Sequence, residues 1–118
     1  FTGTSENGIF RSSDNGATWT PIGISSTDLN SKSINDIIVI DNTIFAATSA
    51  GIYTSNDNGD NWVIKLDPGV NKSTSGLDYD NGILATIIGG AGVYIWEKHG
   101  HFLLWRGLIH PKWVMKIF

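Results

Sequence analysis

The sequence predicts an all-β fold built from repeated antiparallel units, and three observations carry that prediction. The octet Ser-x-Asp-x-Gly-x-x-Trp stands twice, as "SSDNGATW" at 12–19 and "SNDNGDNW" at 55–62, 43 positions apart. Short β-branched and aromatic runs alternate with turn signals such as Asp41-Asn42 and Asn81-Gly82, a pattern that reads as strands joined by hairpins. No stretch shows a convincing apolar period of 3.6, and Gly, Ser, Thr, Asn and Ile are abundant, which disfavours helix.

The first unit reads "GIFRS" into the first octet and "TWTPIG" out of it, giving two strands before Ile24. The second opens with "INDIIVID" (34–41), β-branched and short as a buried strand is. "NTIFAATS" (42–49) follows, and "GIYTS" (51–55) and "NWVIKL" (61–66) flank the second octet. The third unit reads "SGLDYD" (75–80), "ILATIIG" (83–89), "VYIWEK" (93–98) and "HFLLWR" (101–106). Its Gly92 lies 41 residues after Gly51, which lies 43 after Gly8. The octet is degenerate there. Trp96 stands for the Ser, Lys98 for the Asp and Leu103 for the Trp, and only Gly100 keeps its place.

Four antiparallel strands in about 40–45 residues is the size of a β-propeller blade. The expected architecture is a β-propeller fragment of about two and a half four-stranded antiparallel blades. It spans residues 1–106, with a partial blade at 1–23 and further blades at 34–66 and 76–106. Residues 107–118 are expected to be a divergent tail or the start of a further strand. A closed propeller needs four or more blades, so the chain reads as part of something longer. Its opening at Phe1 suggests the same, as a processed product or fragment.

Within each octet the residue types suit a hairpin loop. Asp14 and Asp57 can accept hydrogen bonds from turn N–H groups, and Gly16 and Gly59 can supply positive φ. Ser12 and Ser55 can add a hydroxyl bond across the hairpin. Trp19 and Trp62 begin the outgoing strands and are both expected to be largely buried as anchors. These positions resemble the Asp-box, or bacterial neuraminidase repeat, and both intact copies match every defined position. The resemblance implies the propeller of sialidases, xyloglucan-type glycoside hydrolases, sortilin-like receptors and photosystem II assembly-factor-like proteins. It further implies that the box is a structural turn at the blade periphery, away from the central binding face.

Composition removes several classes. There is no cysteine, so disulfide scaffolds and thiolate metal sites are excluded, and no apolar run reaches the roughly 18 residues of a membrane span. Residues 1–95 carry ten acidic and four basic side chains, while residues 96–118 carry four basic ones and Glu97 alone. That tail includes His99, His101, His110 and three of the five tryptophans. Its positive charge is small for a nucleic-acid surface, and Gly107 and Pro111 interrupt any amphipathic helix suited to a membrane.

Candidate chemistry is sparse. Asp14 and Asp57, on equivalent loops of adjacent blades, are expected too far apart for a catalytic pair. "DNGDN" (57–61) lacks the spaced carboxylates of a calcium loop. The chain holds two arginines, Arg11 and Arg106, whereas the sialidase resemblance implies three around the substrate carboxylate. Asp36, Asp41, Asp78 and Asp80 stand at strand ends or turns, where they are the candidates for a two-carboxylate glycosidase. The histidines have no carboxylate at ligand spacing. Asn71-Lys72-Ser73 fits the glycosylation acceptor pattern.

The sequence therefore reads as a non-catalytic repeat module serving recognition or scaffolding in an exported protein, extracellular or periplasmic. No catalytic residue, cofactor or metal is expected, and the partner class is carbohydrate or protein. The alternatives are a fragment of a sialidase-like or xyloglucanase-like glycoside hydrolase, and a photosystem II assembly-factor-like or sortilin-like binding propeller. Unpaired edges are expected to make the isolated chain self-associate.

Overall fold

A computed structural model describes residues 1–22, 33–66, 73–89, 92–97, 101–107 and 113–117. Among them every regular element is a strand, and no helix is long and apolar enough to cross a membrane. Strands β1 (Thr2–Gly3), β2 (Ile9–Arg11) and β3 (Thr20–Ile22) form the first sheet. The second contains β4 (Ile34–Ile40), β5 (Thr43–Thr48), β6 (Gly51–Ser55) and β7 (Val63–Leu66). The third contains β8 (Thr74–Asp80), β9 (Ile83–Ile88), β10 (Gly92–Glu97), β11 (His101–Gly107) and β12 (Trp113–Ile117).

Each sheet is a meander in which strands adjacent in sequence pair antiparallel. The turns after β4 and β8 place Asp41 and Asn81 in the left-handed region, at φ 53° and 50°, a conformation that Asp and Asn tolerate better than most side chains. β4 and β8 break register at matching places, between Ile34 and Asp36 and between Thr74 and Leu77. Such bulges sharpen the local twist of a strand.

Alternation along the strands sorts the core into two layers, because successive side chains point to opposite faces. On one face of the second sheet Ile44, Ala46, Tyr53 and Trp62 pack with Ile9 and Ile22 of the first. On the other, Phe45, Ala47, Ile52 and Leu66 pack with Leu84, Ile88, Tyr94 and Phe102 of the third. The second sheet is thus covered on both sides. That explains why β5 and β6 read as nearly continuous apolar or small residues, buried from Ile44 to Thr48 and from Gly51 to Ser55. Polar bridges tie the sheets as well. The Ile34 amide donates to the Thr4 carbonyl at 2.8 Å, the Thr74 hydroxyl to the Thr48 carbonyl at 2.7 Å, and the Leu77 amide to Asp36 Oδ2 at 2.9 Å.

Three features differ from the sequence expectation. The first unit has a third strand, β1, because Thr2 and Gly3 pair with Phe10 and Ile9. In the third unit β12 pairs antiparallel with β11 as a fifth strand of the same sheet. Phe102, not Leu103, occupies the place of the box tryptophan. Register pairs Thr54 with Val63 and Ile95 with Leu103, so Phe102 precedes its partner as Trp62 does, and it is buried to 1% exposure.

Candidate functional site

The two octets close equivalent hairpins, β2–β3 and β6–β7. In the first, the Ser12 hydroxyl donates to Asp14 Oδ1 at 2.8 Å and accepts from the Gly16 amide at 2.8 Å. Asp14 Oδ1 accepts from the Thr18 amide at 2.8 Å, and Oδ2 accepts from the Thr18 hydroxyl. The second repeats the arrangement with an Asn amide in place of the Thr hydroxyl. Ser55 donates to Asp57 Oδ1 at 2.7 Å and accepts from the Gly59 amide at 2.9 Å. Asp57 Oδ1 takes the Asn61 amide and Oδ2 the Asn61 side-chain amide, each at 2.8 Å. The serines bond inside the loop rather than across the hairpin.

Two consecutive left-handed residues turn the chain in each copy. They are Asn15 and Gly16 at φ 57° and 89°, and Asn58 and Gly59 at 63° and 94°. Hydrogen bonds to the charged form hold both carboxyls down at about 2, from an ordinary value of 3.8. The side-chain bond from Thr18 contributes most at Asp14, and that from Asn61 most at Asp57. Sequence reasoning overlooked the fourth and seventh positions. The signal was there, since both copies carry Asn fourth and a short polar donor seventh.

The tryptophans part company. Trp62 is 3% exposed, and its indole N–H donates to the Gly59 carbonyl at 2.9 Å. Trp19 is 46% exposed, which corrects the expectation that both are buried. The second box lies against the first sheet, where a Cβ on Gly59 would meet Ile22 Cδ1 at 2.5 Å. Arg11 reaches across to the same loop, donating to the Asn58 carbonyl at 2.6 Å and to Asp60 Oδ1 at 3.1 Å. Among the described residues no sheet lies on the corresponding side of the first box.

At the opposite end of the strands, where the turns β1–β2 and β5–β6 lie, an open groove of about 880 Å³ crosses all three sheets. Its walls are Gly3, Thr4, Ser5, Ser33, Ile34, Asn35, Ser73, Ser75 and Gly89. Local bonding fixes several of these residues. Thr4 donates to the Gly8 carbonyl at 2.9 Å. The Ser33 carbonyl accepts from the Ser49 amide at 2.9 Å. Asn35 Nδ2 donates to Ser73 Oγ at 3.2 Å and to the Thr74 carbonyl at 2.6 Å. Among the described residues no wall residue is ionisable.

Of the four carboxylates singled out from sequence, two share a cavity and two do not. Asp36 and Asp78 line a smaller cavity of about 380 Å³ on the outer face of the third sheet. Asp36 there accepts from the amides of Ile37 and Leu77, at 2.9 Å each, through its two oxygens. Asp41 and Asp80 sit at the exposed turns after β4 and β8. Among the described residues no three His, Cys, Asp or Glu side chains cluster to hold a metal. His99, His110, Gly100, Lys98, Asn71 and Lys72 lie outside the described residues, and His101 opens β11. No protein-family model, curated protein or solved structure matches the chain.

Proposed function

We propose that the chain is a non-catalytic module of an Asp-box β-propeller, its three sheets being successive blades, and that it serves recognition or scaffolding in an exported protein. The two octets and their spacing support the family, and the front-to-back stacking of the sheets supports the blades. One observation carries the recognition reading. Among the described residues the groove at the turn end is lined by hydroxyls, a carboxamide, Ile34 and backbone, with no acid or base. Such a wall offers directional hydrogen bonds to a neutral, polyhydroxylated ligand. Its described residues do not include the two carboxylates that flank the scissile bond in most glycoside hydrolases.

The ligand class that suits it is carbohydrate. Titration of the chain with neutral oligosaccharides, followed by amide NMR, is expected to move resonances of Thr4, Ser5, Ser33 and Ser73 and to leave both boxes unmoved. Ser33→Val and Ser73→Val are expected to weaken that binding. Shifts confined to other surfaces, or turnover of sialosides or β-glucans by the chain, defeat the reading.

A further inference from the structure

We propose that Asn81-Gly82, in the turn between β8 and β9, is a site of spontaneous deamidation, and that each box protects its own Asn-Gly step from the same chemistry. Four Asn-Gly steps stand in the chain, at 7–8, 15–16, 58–59 and 81–82. Glycine carries no side chain to shield its amide nitrogen. That nitrogen attacks Cγ of the preceding asparagine and a C–N bond forms. The side-chain nitrogen leaves as ammonia, taking the proton of the glycine amide. Water then opens the cyclic imide at either carbonyl, giving aspartate or isoaspartate.

Three of the four steps share one backbone as well as one dipeptide. Asn15, Asn58 and Asn81 have φ of 57°, 63° and 50°, and the glycines after them 89°, 94° and 80°. An asparagine at such φ has ψ of about +30 to +60°. The following nitrogen then lies on the far side of the Cα–C bond from Cβ, so the ring closes only after the turn opens locally. All three asparagines are exposed. At the third turn that exposure does not depend on the chain's end. The equivalent turn of the second sheet, Asp41-Asn42, is exposed too, although sheets flank it on both sides.

The three differ in the bonds that opening must break. In the boxes the attacking N–H is itself engaged, Gly16 donating to Ser12 Oγ at 2.8 Å and Gly59 to Ser55 Oγ at 2.9 Å. Each serine is held by the box aspartate, which also takes the amide two residues beyond the glycine. Arg11 on the Asn58 carbonyl and Ile22 against Gly59 pin the second box further. Among the described residues the Gly82 amide has no acceptor, and a Cβ on Gly82 would meet nothing within 4 Å. The fourth step is held by Thr4. The Asn7 amide donates to its Oγ1 at 2.9 Å, and the carbonyl of the buried Gly8 accepts from its amide at 3.0 Å and its hydroxyl at 2.9 Å. Asn81-Gly82 is therefore the step that opens at least cost. Its product sets a carboxylate beside Asp80, and the isoaspartyl form adds a methylene to the turn that pairs Asp80 with Ile83.

The test follows the whole chain by peptide mass spectrometry during incubation in mildly alkaline buffer, native and in urea. In the native chain Asn81 is expected to convert roughly tenfold faster or more than Asn7, Asn15 and Asn58, because opening there forfeits fewer hydrogen bonds. In urea the four rates are expected to converge, since the dipeptide is the same. Ser12→Ala is expected to raise the rate at Asn15 and to leave Asn58 as it was, which also reports that the chain is still folded. An Asn7, Asn15 or Asn58 that converts as fast as Asn81 in the native chain overturns the proposal, as does an ordering that survives in urea. So does a Ser12→Ala chain in which Asn15 is unchanged or rises together with Asn58, because the protection would then not lie in the box's own bonds.

Discussion

The two boxes share their internal bonding and differ in what lies against them. Ser12, Asp14 and Gly16 reproduce Ser55, Asp57 and Gly59 to within 0.1 Å in the serine–aspartate and serine–glycine bonds. Yet one indole is 3% exposed and the other 46%. The loop is therefore self-sufficient in geometry, and the tryptophan's burial comes from the neighbouring sheet. A box closes its own hairpin. It anchors a sheet only where another sheet covers it.

The largest expected effect separates the tryptophans. Trp62→Ala is expected to cost about 3–5 kcal/mol, the range for deleting a buried aromatic. Trp19→Ala is expected to stay within about 0.5 kcal/mol, as surface substitutions do. Urea melts of both variants decide it, and equal losses would break the contrast. Next come the glycines. Either Gly→Ala change meets the strain of positive φ, about 1–2 kcal/mol. Gly59→Ala also pushes a methyl into Ile22, for which overpacking adds about 1–3 kcal/mol. At Gly16 the nearest atom is Trp19 Cζ2 at 3.6 Å, so that variant is expected to melt higher than its counterpart.

A smaller effect belongs to the latch. Arg11 and Asp60 are 27% and 64% exposed, so water and salt screen the pair. A double-mutant cycle with Arg11→Ala and Asp60→Ala is expected to give a coupling of at most about 1 kcal/mol, fading in high salt. A coupling well above that would mean the sheet junction depends on charge rather than on Ile9, Ile22 and Trp62.

The last prediction concerns what the boxes have in common. Both aspartates are held at about 2, below an ordinary 3.8. A depressed carboxyl stabilises the fold above its unfolded value and loses that contribution as pH falls through its folded value. Each box is thus expected to contribute fully above about pH 4 and to lose its contribution as pH falls toward 2. Carboxyl carbon NMR titrations should give midpoints well below 3.8 at both positions. A midpoint near 3.8 at Asp14 alone would show that the first loop needs a covering sheet after all.

Much of the local structure was legible because it depends on residues a few places apart. Short β-branched and aromatic runs between turn signals placed β4–β11. Asp41-Asn42 and Asn81-Gly82 marked their turns through a known tolerance of left-handed backbone. β1 was not legible, because two residues of "TG" carry no pattern and exist as a strand only by pairing with β2. The groove was equally hidden. Thr4, Ser33 and Ser73 are ordinary loop residues in the sequence, and they form one wall only because three sheets bring their turn ends together.

The third unit shows where reading by position fails. Counting from Gly92 puts Leu103 at the tryptophan place, but pairing of Ile95 with Leu103 delivers Phe102 to the core instead. Its neighbour Trp96, at the serine position, packs edge-on against Phe45 and Phe102 with ring centroids 5.0 Å apart. The sequence by itself determined most of the strands, the turns after β4 and β8 and the hairpin closed by each box, because those features rest on residues a few places apart. Only the tertiary structure decided which tryptophan is buried, which residue replaces it in the third unit and where the polar groove runs. Burial is a property of the facing sheet, and no octet contains its own neighbour.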